Sequence, residues 1–270
     1  MPAEQICRVY DDLPLRLSED GPEDGPPVLV LHGGGGPATV AGLARHLSGT
    51  GRRTLTPVHP GWDGNPRPDW CTGVDDLALA YLHLLHDRGL TEVLVVGSSL
   101  GGWIAAEMAV RDLAGTVGGL VLINAVGVYV ESEPVADIFA LDPRAAAEHS
   151  WHEPDRYYTD PAGLPAEELA RRQGNMATVR ILAGEPYMHD PKLLRRLARV
   201  RRPALLVWGE SDRIVTPAYG AAYAAAFGDG RLETVPKAGH LPHIEQPEAV
   251  FGLIDAYAGG PSSARPNNRA

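Results

Sequence analysis

Short apolar runs recur along the chain, and most of them lead into a segment with helical periodicity. They fall at residues 28–32 (VLVLH), 53–58 (RTLTPV), 93–97 (VLVVG), 120–124 (LVLIN), 204–208 (ALLVW) and 231–235 (RLETV). Because the runs are continuous rather than alternating, they predict strands covered on both faces, as in a parallel sheet. Helical patterns at about 38–49, 74–88, 100–113, 217–227 and 247–258 supply the crossovers that such a sheet needs. Upstream, ICRVY (6–10) and LPLRLS (13–18) flank Asp11 and Asp12 and predict an antiparallel hairpin at the sheet edge. The fold class expected is α/β.

One stretch breaks this rhythm. From 128 to 198 the sequence offers no convincing strand, only short helix-like pieces separated by Pro134, Pro143, Pro154, Pro161, Pro165 and Pro186. This predicts a helical insertion that divides the core into 1–127 and 199–258. The tail 259–270 (GGPSSARPNNRA) has almost nothing apolar to bury and is expected to be disordered.

Composition narrows the function classes. A chain of 270 residues, 44% hydrophobic and 21% charged, can bury the core of one large α/β domain. Its formal net charge of −10 argues against nucleic acid, because a phosphate-backbone binder needs clustered Lys and Arg. No stretch approaches the roughly eighteen apolar residues of a membrane helix, and the first twenty residues lack a signal-peptide pattern. The expectation is a soluble, cytoplasmic protein with no membrane partner. Cys7 and Cys71 are too few for a disulfide framework and lack metal-ligand spacing, so two free thiols and no metal site are expected.

The candidate chemistry begins at Gly97-Ser98-Ser99-Leu100-Gly101-Gly102, between the run VLVVG and the helical stretch WIAAEMAVRDL. A nucleophile presented on a sharp strand-to-helix turn requires small residues two before and two after it. Centred on Ser99 those neighbours are Gly97 and Gly101; centred on Ser98 they would be Val96 and Leu100. Ser99 is therefore the candidate nucleophile, although a GxSxG match alone is a weak signal. Glycines after a strand let backbone N–H groups reach an oxyanion, so His32-Gly33-Gly34-Gly35-Gly36-Pro37 places one donor at Gly34. The second is expected at Leu100, at the positive end of the following helix. The glycine run lacks the Lys-Ser/Thr of a phosphate-binding loop.

A serine hydroxyl needs a base, and the base needs an orienting carboxylate. Asp212, in Gly209-Glu210-Ser211-Asp212 after ALLVW, is the preferred acid, with Glu210 as the substitute. His240, in Ala238-Gly239-His240-Leu241-Pro242-His243 after RLETV, is the preferred base over His243.

The order Ser99, Asp212, His240 is that of α/β-hydrolases and not of chymotrypsin or subtilisin arrangements. Through HGGGGP, GSSLGG, WGESDRIVTP and AGHLPH, residues 25–258 resemble the α/β-hydrolase family. The resemblance implies a mostly parallel eight-stranded sheet with helices on both faces, a Ser99-His240-Asp212 triad, no cofactor, and a helical cap inserted after the sixth strand. HPGWDGNPRPD (59–69) is similar to a loop that borders the site in that family. The serine excludes the aspartate-based dehalogenase and epoxide hydrolase branches. The glycine run resembles that of proline iminopeptidases, but the tryptophan that follows their serine is missing here. Ester or lactone hydrolysis is the default expectation; C–C hydrolysis of the meta-cleavage type and a non-catalytic ligand-binding role on the same fold are the alternatives. Expected pocket residues are Gly33, Trp62, Trp103 and Trp151, and the expected partners are a small-molecule substrate and, as a homodimer, a second copy.

Overall fold

The computed structural model describes residues 3–260. Eight strands form one sheet: β1 (Ala3–Tyr10), β2 (Leu13–Asp20), β3 (Pro27–Leu31), β4 (Arg53–Val58), β5 (Val93–Ser98), β6 (Val117–Ile123), β7 (Ala204–Gly209) and β8 (Gly230–Val235). Their order is β1-β2-β4-β3-β5-β6-β7-β8. The hairpin β1-β2 is antiparallel and joins β4 antiparallel, while every pairing from β4 through β3 to β8 is parallel.

The continuous apolar runs cover both faces, as their pattern requires. Leu29, Leu31, Val95, Leu122 and Trp208 point to one face, where they pack with α2 (Val74–Asp87), α3 (Leu100–Arg111) and α8 (Pro217–Ala226). Val28, Val30, Val96, Val121 and Val207 point to the other, covered by α1 (Ala41–Gly49) and α10 (Pro247–Gly259). Each fully buried Leu or Val side chain contributes on the order of 1.5–3 kcal/mol to this packing. Gly259 closes α10 and so is not part of a disordered tail; the remainder of that expectation, 261–270, lies outside the described residues.

Between β6 and β7 the chain adds no strand to the sheet and forms α4 (Pro143–Ser150), α5 (Pro154–Tyr157), α6 (Ala166–Leu182) and α7 (Leu193–Leu197). The prolines that separate these pieces also start them. Pro143 and Pro154 stand in the first turn of their helices, where the missing N–H would have no partner in any case. Asp142 caps α4 by accepting from the Ala145 N–H at 2.8 Å. Among the described residues no helix is long and apolar enough to cross a membrane.

Candidate active site

The turn between β5 and α3 shows why its glycines are required. A Cβ on Gly97 would lie 2.2 Å from the Gly101 carbonyl oxygen, and one on Gly101 would lie 2.2 Å from that of Leu31. Ser99, between them, adopts φ 54 and ψ −115, a left-handed backbone that L residues avoid. Its N–H donates to the Ile123 carbonyl at 2.9 Å, which fixes the turn against β6. Ser98 faces inward instead, and its buried hydroxyl has no partner among the described residues.

Three strand ends converge on Ser99. Its Oγ lies 2.9 Å from His240 Nε2, and His240 Nδ1 lies 2.8 Å from Asp212 Oδ2. With Nδ1–H donating to the Asp212 carboxylate, Nε2 is left to accept from the serine hydroxyl. Asp212 is 3% exposed, and its Oδ1 accepts from the Ile214 and Val215 N–H groups at 2.8 and 3.2 Å. Its Oδ2 also accepts from Asn124 Nδ2, while Asn124 Oδ1 accepts from the Gly209 N–H at 3.2 Å. Sequence reasoning missed Asn124; the one available signal was a polar residue directly after the apolar run of β6. Glu210 is exposed, and among the described residues its carboxylate accepts one long bond, 3.4 Å, from the Lys237 N–H. His243 is buried and donates from Nε2 to the Thr39 carbonyl at 3.0 Å; burial pushes its pKa down to about 4, so it is neutral.

The glycine-rich loop is held by a buried ring network. His32 Nδ1–H donates to the Gly33 carbonyl at 2.8 Å, and His32 Nε2 accepts from the His59 N–H at 3.1 Å. His59 Nε2–H donates to the His32 carbonyl at 2.9 Å, and Tyr81 O–H donates to His59 Nδ1 at 2.5 Å. Burial lowers the pKa of both histidines, that of His32 to about 4, and each uses one ring nitrogen as acceptor, which only the neutral form allows. Trp62 Nε1–H donates to the Gly34 carbonyl at 2.9 Å. The Gly34 and Leu100 N–H groups have no partner among the described residues.

A cavity of about 540 Å³ opens between this loop and the helical segment, lined by Gly34, Trp151, Tyr157, Tyr158, Met176 and Leu241 among others. Trp151 and Tyr157 stack at 4.6 Å. Of the four expected pocket residues, only Trp151 lines it. Trp62 is fully buried beneath the loop it braces. Trp103 lies one helical turn beyond Ser99, buried against Gly127 and donating to Glu107 Oε1 at 3.2 Å. Gly33 abuts Ser99 from behind, where an added Cβ would meet the serine Cβ at 3.0 Å. Among the described residues no group of three or more His, Cys, Asp or Glu side chains could hold a metal ion.

Known proteins resemble the chain over most of its length. The profile of the alpha/beta hydrolase family matches residues 28–253. A 2-hydroxy-6-oxononadienedioate/2-hydroxy-6-oxononatrienedioate hydrolase of Pseudomonas putida is 27% identical over 262 residues, covering 90% of this chain and 91% of its own. A pimeloyl-[acyl-carrier protein] methyl ester esterase of Aromatoleum aromaticum is 28% identical, with 87% and 99% covered. Among solved structures, naproxen esterase from Bacillus subtilis superposes with a TM-score of 0.75 at 19% identity, covering 95% of this chain and 91% of that one.

Proposed function

Since the chain belongs to the alpha/beta hydrolase family, we propose that it is a serine hydrolase that cleaves a small carboxylic ester or lactone through an acyl-enzyme. The observation that carries this reading is the continuous relay Ser99 Oγ, His240 and Asp212, with bonds of 2.9 and 2.8 Å. Ser99 Oγ attacks the carbonyl carbon as its proton passes to His240 Nε2, and Asp212 holds the imidazolium that forms. The free N–H groups of Gly34 and Leu100 receive the developing oxyanion. His240 returns the proton to the leaving alkoxide; the alcohol of an ester departs, whereas that of a lactone stays attached to the acyl chain. The base then takes a proton from water, whose oxygen attacks the acyl carbon; collapse of the second intermediate expels Ser99 Oγ, which recovers its proton from His240. The acid product leaves.

Ser99→Ala is expected to lower kcat on a p-nitrophenyl ester by roughly 10⁵-fold or more. Wild-type turnover in that variant would overturn the reading, as would labelling of Ser98 rather than Ser99 by a fluorophosphonate. A second reading, hydrolysis of a carbon–carbon bond in a vinylogous diketone, is favoured by the similarity to the Pseudomonas putida hydrolase over nine-tenths of both chains. Parallel assays on esters, lactones and such diketones separate the two. A small-molecule substrate and no cofactor complete the proposal.

A further inference from the structure

Five residues beyond His240, at the end of the short helix α9 (Pro242–Glu245), Glu245 is 9% exposed. No lysine or arginine among the described residues pairs with it. Its carboxylate is met by main-chain N–H groups from two parts of the chain. Oε2 accepts from Gly239, the residue directly before the base, at 2.5 Å. Oε1 accepts from His152 at 2.9 Å and from Glu153 at 3.3 Å, the two residues directly after Trp151 in the cavity wall. Bonds from N–H groups to a carboxylate are among the stronger hydrogen bonds a protein makes, and those made out of water are strengthened further.

The surrounding contacts run between the same two parts. The His240 N–H donates to the Ser150 carbonyl at 2.6 Å, and a Cβ on Gly239 would stand 2.3 Å from that oxygen. The acid loop joins as well: the Arg213 N–H donates to the His149 carbonyl at 3.1 Å, and His152 Nδ1 lies 2.7 Å from Ser211 Oγ. The relay accounts for Ser99, His240 and Asp212, yet nothing in it explains a buried carboxylate bridging the base loop and the cavity wall.

We propose that Glu245 is a positioning residue of the hydrolytic site: its carboxylate fastens the peptide preceding His240 to the wall that carries Trp151, so that the base and the acyl-binding surface are held as one piece. The kinetic part of this inference rests on the hydrolase reading; the fastening itself does not. An acyl group large enough to press on Trp151 therefore bears on the same carboxylate that places the base, whereas an acetyl group feels only the base.

The test uses the full chain with Glu245→Ala, Glu245→Gln and the wild type, assayed on p-nitrophenyl acetate and p-nitrophenyl benzoate, with circular dichroism to establish folding. Glu245→Ala is expected to lower kcat about 10- to 100-fold on both esters and to raise KM several-fold for the benzoate alone. Added formate, a small carboxylate that fits the vacated slot, should restore about tenfold of the lost kcat in Glu245→Ala and nothing in the wild type. The isosteric Glu245→Gln keeps the packing but offers an acceptor to only one of the two sides, so it should also lose kcat, without formate rescue. Folded Glu245→Gln with wild-type kinetics on both esters overturns the proposal, and so does Glu245→Ala with a lost kcat that formate leaves unchanged. Amide hydrogen exchange reads the fastening without any turnover: the 239–240 and 152–153 amides should exchange faster in Glu245→Gln than in the wild type. Unchanged exchange overturns the proposal even where the ester assays succeed. Faster exchange in a chain that cleaves neither ester sustains the fastening and counts against the ester-hydrolase reading.

Discussion

The sheet and the helical segment over it are buried to different degrees. In β5 all six residues are buried, whereas α5 buries none and α4 only Ala147. Farther along, α6 and α7 join the apolar core through Val179, Leu182, Leu193 and Leu197, and polar bonds add to this: Arg171 Nη1 and Asn175 Nδ2 to Asp63 Oδ1 at 2.8 and 2.9 Å, and Thr178 Oγ1 to the Gly61 carbonyl at 3.0 Å. Ser99, Asp212 and His240 stand on the loops that leave β5, β7 and β8, where tight packing fixes their geometry. Most of the cavity wall belongs to the looser part. A molecule built this way can vary most of that wall, except the stretch beside Trp151 that Glu245 ties to the base loop, without disturbing Ser99, Asp212 and His240.

The contrast can be broken most forcefully at its glycines. Gly101→Ala sets a Cβ 2.2 Å from backbone, which cannot yield as a side-chain tip does. The expected loss is about 3 kcal/mol or more, read as insolubility or a collapse of the chemical denaturation midpoint. Next comes pH. His32 and His243, both buried in the core, have pKa values near 4 against an ordinary value of 6.5. Above pH 6.5 neither the folded nor the unfolded state binds these protons. As pH falls from about 6.5 to about 4 only the unfolded chain takes them up, so stability drops, by on the order of 3 kcal/mol per histidine. Denaturation midpoints across that range test this, and His243→Gln should flatten part of the slope.

Asn124→Ala deprives Asp212 of one of its donors and leaves the Gly209 N–H without its acceptor. A bond to a charged group is worth about 1.5–3 kcal/mol, so kcat should fall roughly 10- to 100-fold at nearly unchanged KM. The smallest effect has the opposite sign. Gly174, inside α6, has nothing within 4 Å of an added Cβ, and Gly174→Ala should stabilise by about 0.5–1 kcal/mol. A thermal melt that showed Gly174→Ala as harmful as Gly101→Ala would erase the distinction between the two regions.

Most of this was legible in the sequence where the signal is local. The strand runs and the turn at Ser99 are contiguous patterns, and the structure moves their limits by only a few residues, as for β6, which begins at Val117 rather than 120. The candidates Asp212 and His240 were legible by their place after apolar runs, and the structure brings both to Ser99. Asn124 was not, because its partner Asp212 is 88 residues away and no spacing rule joins them. Glu245 was not legible either, because its partners His152 and Glu153 lie 93 and 92 residues away. Trp103 misled by its closeness to Ser99 in sequence: four residues along a helix lead down into the core, not out toward a ligand. The helical segment was expected as short pieces, yet past Pro165 no further proline interrupts α6 for seventeen residues.

The left-handed backbone of Ser99 has a consequence for how this molecule balances competing demands. At that position glycine would be the relaxed choice, and both neighbours two steps away are already glycine. The chain keeps a side chain at the one point of the turn where the backbone would be easier without it. On the hydrolase reading, durability and reactivity therefore pull in opposite directions at a single residue: the substitution that best relieves the fold there also removes the hydroxyl.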